Sequence, residues 1–217
     1  MLPTISTVRS WFRCARPGPV LTLIWLAALA VGPLRATTVE PPDFATLVND
    51  CDYIVHATVK SVTAEKQASP YGLRIVTHVE LNVIETVAGH TPATVTLHLL
   101  GGQVGAERLQ VVGMPKFAVG EEHILFVSGN GQTICPLNRM QHGQYPILHD
   151  TASGRAYVAR ADHAPLVQTA DVQQPLGESH AEAVAPAATK AVGLSPGDFI
   201  QQIKAAIQPG SRPQRAP

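Results

Sequence analysis

Three of the nine histidines in this 217-residue chain fall where they could act together. His56, His78 and His98 each sit in the middle of an alternating segment, on the side opposite its apolar positions. If those segments are neighbouring strands, the imidazoles lie side by side, and three imidazoles converging on one point make a zinc site. The same residues also read as ordinary polar side chains on a sheet, because a one-residue slip in register turns a side chain to the other face. Neither HExxH nor CxxC occurs, so the local zinc signatures are missing.

Other chemistry is sparser. Cys135 with His142 nearby would make a thiol nucleophile and a base. A pair of cysteines in an exported chain more often forms a bridge, and Cys51 with Cys135 is the candidate. That disulfide would close a loop of about 84 residues, worth about 4 kcal/mol by the chain-entropy account. Ser128 and Ser153 each precede a glycine and fit turns, and no G-x-S-x-G is present. Glu121-Glu122-His123 offers a carboxylate pair before an apolar run. Neighbouring strand residues point to opposite faces, so a solvated turn explains the pair as well.

Alternating segments must position these residues. In DYIVHATVKSV, residues 52–62, Val55, Ala57 and Val59 alternate with His56, Thr58 and Lys60. KQASPYG, residues 66–72, reads as a loop. In LRIVTHVELNVIETV, residues 73–87, Ile75, Val79, Leu81 and Val83 share one face, and the pattern slips at Ile84, which predicts a bulge or bend there. TVTLHLL, residues 94–100, alternates again. ERLQVV (107–112), HILFV (123–127), TICPL (133–137), QYPIL (144–148) and RAYVAR add short strands. Asp43 is placed to cap a short helical turn ahead of the first strand.

The stretch GGQVGAERLQVVGMPKFAVGEEHILFV, residues 101–127, holds five glycines. A phosphate loop needs a strand, then glycines, then a helix N-terminus aimed at the anion. No helical pattern follows here, and each glycine falls between apolar runs, so these glycines read as strand turns.

After about residue 161 the sequence turns rich in Ala, Pro and Gln, and residues 161–193 read as a flexible linker. Residues 194–209 carry a helix signal. Ser195 is the N-cap, Pro196 takes N1, and Phe199, Ile203 and Ile207 recur at helical spacing with Ile200 beside them. This stripe must be buried on the domain itself, on a protein partner or on a membrane face. Phe199, Ile200, Ile203 and Ile207 are accordingly the partner-docking candidates.

Lys plus Arg equals Asp plus Glu, 16 each, so nothing favours nucleic acid, which needs clustered positive charge. Residues 1–36 read as a signal peptide. Arg9, Arg13 and Arg16 precede the apolar run VLTLIWLAALAV at 20–31, too short to span a bilayer comfortably. Cleavage falls after Ala36 or Ala30, and an uncleaved anchor is the alternative. The protein is then expected in the periplasm or outside the cell, with no stable membrane span after cleavage.

DCDYIVHATVKSV, RIVTHVELNVIETVAG, VTLHLLGG, PKFAVGEEHILFV, QHGQYPI and the terminal SPGDFIQQIKAAI together resemble a poorly characterised group of exported bacterial proteins. Members occur in bacteria that also secrete metalloproteases, which points to a secreted protease as partner. DCDYIVHATV and EEHILFVSG also resemble the netrin-like OB-fold domain of tissue inhibitors of metalloproteinases. Those inhibitors ligate zinc through an N-terminal cysteine, and neither Thr37 nor Val31 is one. The barrel carries over by resemblance; the inhibitory mechanism does not.

The expected architecture is mainly β: a closed OB-like barrel or a β-sandwich over residues 37–160, with a C-terminal amphipathic helix. The expected function is a non-catalytic binding or regulatory module of the cell envelope. It would use the polar face of the first three strands and the loops at 66–72 and 101–106. The alternatives are a metal-dependent envelope hydrolase using the strand histidines, with zinc as its cofactor, and a structural envelope protein.

Overall fold

The computed structural model describes residues 40–70, 72–177 and 193–208. The signal peptide and its cleavage sites, and the linker from 178 to 192, lie outside the described residues. The fold is mainly β. Helix α1 (Phe44–Asn49) opens it, with the Asp43 carboxylate accepting from the Thr46 amide at 2.8 Å. The strands are β1 (Tyr53–Ser69), β2 (Gly72–Ala88), β3 (Thr94–Leu100), β4 (Gly102–Val104), β5 (Glu107–Leu109), β6 (Glu122–Val127), β7 (Gln144–His149) and β8 (Ala156–Val158). Helix α2 (Pro196–Ala206) closes the described chain.

Six strands form one antiparallel sheet in the order β3-β2-β1-β6-β7-β8, and β4 pairs with β5 alone. Among the described residues no closed barrel forms, and the second sheet is only a short two-stranded ribbon, so the barrel expectation is corrected. The outer edge of β3 is covered by a loop instead of a strand. The Asn130 carboxamide stands in for a peptide group there. Its Oδ1 accepts from the His98 amide at 3.1 Å, and its Nδ2 donates to the Thr96 carbonyl at 2.8 Å. The Leu100 amide donates to the Ile134 carbonyl at 2.8 Å.

At β6 the sheet is covered on both faces, which explains that strand's unbroken apolar run. Ile124 and Phe126 face one cluster with Ile54, Tyr145, α1 and α2; Leu125 and Val127 face the other, with Val55, Val79, Leu81, Leu97 and Leu137. The predicted slip is a bulge: His56 pairs with Glu85 and Ala57 with Val83, leaving Ile84 unmatched. A second irregularity leaves Lys60 unmatched between the Val59–Leu81 and Ser61–Glu80 pairs.

Three local expectations change. Residues 66–69 are strand, not loop: Lys66, Gln67 and Ala68 pair with Ile75, Arg74 and Leu73 in a long β1–β2 hairpin. TICPL contributes only an isolated bridge at Leu137, and ERLQVV only β5. The first part of the linker, 161–177, is folded. Arg160, buried, donates to the carbonyls of Asp171, Gln174 and Pro175 and pairs with Asp162 at 2.6 Å. Leu166 and Val172 then drop into the core. One cationic hub thus orders a segment with few apolar residues of its own.

The glycines do turn strands. Gly102 has φ +132°, and a Cβ there would collide with Thr77 Oγ1 as β4 crosses the hairpin.

Candidate functional site

The three strand histidines do not converge. His78 and His98 are directly paired across β2 and β3, with rings 4.7 Å apart and edge to face. His78 Nε2 meets Glu65 Oε1 at 3.0 Å. His56 faces Glu85 on β2 and Ile124 on β6, seven residues along β1 from Thr63, the residue opposite His78. At strand rise that separation is about 23 Å. His56 instead holds Glu122 at 2.5 Å. Among the described residues no three His, Cys, Asp or Glu side chains are placed to hold a metal ion, so the three-imidazole site is not assembled.

Nor do Cys51 and Cys135 bridge. Cys51 belongs to the helix-side cluster and donates to the Val48 carbonyl at 3.1 Å, whereas Cys135 lies in the cluster on the other face of the sheet. The sheet stands between them. Burial pushes the Cys135 thiol up to about 11, which leaves almost no thiolate at neutral pH. His142 is buried too, and burial, then the Arg160 charge, holds it below the ordinary imidazole value.

The two carboxylates at the start of β6, Glu121 just before it and Glu122 its first residue, diverge as strand geometry requires. Glu122 serves His56, and Glu121 serves His123 at 3.2 Å. His123 is only 2% exposed, lies edge-on to Phe117 at 5.3 Å, and its Nδ1 has no hydrogen-bond partner among the described residues. Burial lowers its pKa, with Glu121 pulling the other way. Sequence reasoning gave this histidine no role of its own. Its place at the head of a wholly apolar run was the available signal.

The partner-docking stripe is used internally. Phe199, Ile200 and Ile203 are buried in the helix-side cluster, and Ile207 packs against it. The rings of Phe44, Phe126 and Tyr145 surround Phe199 at centroid distances of 5.2 to 6.3 Å. The domain itself therefore occupies the face that a partner would need.

What stays open is the far half of the same sheet face. The Lys204–Glu85 pair, at 2.6 Å, marks where α2 ends its cover. Beyond it lie Asn82, Lys60, Glu80, Thr63, Glu65, His78, Thr96 and His98, each exposed or half-buried. Their charges are matched locally: Lys60 Nζ meets Glu80 Oε1 at 2.7 Å, and Ser61 donates to the same carboxylate. Burial, then the neighbouring His78, holds His98 below the ordinary imidazole value. At the rim a cavity of about 240 Å³ opens between this face and the loop that carries Gly131, Thr133 and Ile134. No helix among the described residues is long and apolar enough to cross a membrane. No family model and no curated protein matches this chain.

Proposed function

We propose that this chain is an exported binding or regulatory module of the cell envelope, non-catalytic, recognising a protein partner through the open polar face of β1, β2 and β3. One observation carries the reading: helices α1 and α2 and the folded 161–177 segment bury only one half of that sheet face. The other half presents paired charges and two imidazoles on β1, β2 and β3. Paired, half-exposed polar groups on regular strands lose little conformational entropy on binding, which favours recognition by shape and hydrogen bonding. A secreted protease is the partner suggested by the sequence resemblance. Crosslinking of the native protein in its exported fraction, followed by mass spectrometry, tests the reading. One dominant partner supports it, and none at all overturns it.

A further inference from the structure

The cavity at the rim of the open face has a chemical polarity. Arg74 stands on one wall, where its Nη2 donates to the Gln67 side-chain carbonyl at 3.0 Å. Among the described residues no carboxylate lies within ion-pair distance of Arg74. The carboxylate on the adjoining strand, Glu65, meets His78 instead. Gln67 leaves the guanidinium charge uncompensated, with further N–H donors in its fork. His98 borders the same cavity and offers a ring N–H.

The rest of the wall mixes three aliphatic side chains with Gly131 and Thr133. Val76 is buried, Leu100 is half-buried, and Ile134 is 52% exposed. A cation at one end and three aliphatic side chains along the side suit a ligand with an anionic head and an apolar body. Pockets for drug-sized ligands measure about 300–1,000 Å³, so 240 Å³ fits something smaller.

We infer that this cavity binds a small aliphatic carboxylate, its head held by the Arg74 guanidinium and its chain laid on Val76, Leu100 and Ile134 toward His98. Arg matches a carboxylate bidentately, which fixes orientation as well as charge. The inference rests on reading the open face as a binding surface, and the two fail separately. A free small molecule reports on the cavity alone, and capture of a protein partner reports on the face alone.

The experiment is titration of the purified protein with hexanoate, followed by amide NMR. Saturable shifts centred on His98, Leu100 and Thr133 are expected. Hexanol, which lacks the charge, and acetate, which lacks the body, should each bind at least about tenfold more weakly. Arg74 is exposed near the hairpin tip, so Arg74→Gln should fold normally and lose about tenfold or more in hexanoate affinity. Absence of saturable shifts, equal binding of hexanol, equal binding of acetate, or unchanged affinity in Arg74→Gln would each overturn the inference.

Discussion

His78 and His98 stand directly opposite each other on β2 and β3, their rings 4.7 Å apart, while His56 belongs to a separate pair with Glu122. A three-imidazole zinc site would require all three. Zinc titration of the protein should therefore be indifferent to His56→Ala. Loss of a stoichiometric zinc in that variant would show that the strands rearrange to bring it in.

His123 gives the stability a pH dependence. Its folded pKa lies below the ordinary value of about 6.5 because burial disfavours the charged ring. The unfolded chain therefore takes up its proton first, and the contribution is present above about pH 6.5 and lost as pH falls through the folded value. The slope is about 1.4 kcal/mol per pH unit for one proton. Urea unfolding between pH 7.5 and 5 should show stability falling with acid, and His123→Leu should flatten the slope. A residual slope is expected, since His142 and His98 are shifted the same way. An unchanged slope in His123→Leu would contradict the buried, neutral assignment.

Phe199 anchors α2 against Phe44, Phe126 and Tyr145. Truncation of a buried Phe to Ala removes about 3–5 kcal/mol. Phe199→Ala should lower the unfolding free energy by that amount in denaturant titration. If α2 instead docked on a partner, the isolated protein would lose almost nothing.

Cys51 and Cys135 lie in clusters on opposite faces of the sheet. Reductant should leave the thermal midpoint unchanged, and Cys135 should react with iodoacetamide only on unfolding. A bridge between them would instead show as a loss of about 4 kcal/mol on reduction.

These contrasts also mark how far the sequence could be read. Strand β3 is legible residue by residue because Val95, Leu97 and Leu99 alternate cleanly into one cluster. The bulge at Ile84 is legible for the same reason, as a break in that alternation. The arm of β1 beyond Lys60 is not, since most of its residues are exposed and Pro70 and Gly72 suggest a longer loop than the turn that forms. Order in 161–177 depends on carbonyls gathered by Arg160, a contact set with no local pattern. The histidines were recognisable as polar-face residues. Which of them meet depends on cross-strand register, a non-local property.

The central claim is that the open half of the sheet face does the binding. The most direct test places a photo-crosslinking residue at Thr63, beside His78 on that face, and a second at Ser153, in the exposed turn before β8. Both proteins are irradiated in the native cells that produce them. The account predicts one dominant adduct from position 63 that is absent from position 153 and is lost when His78 and His98 are both changed to Ala. Equal labelling from both positions, or an adduct indifferent to the histidines, would contradict it.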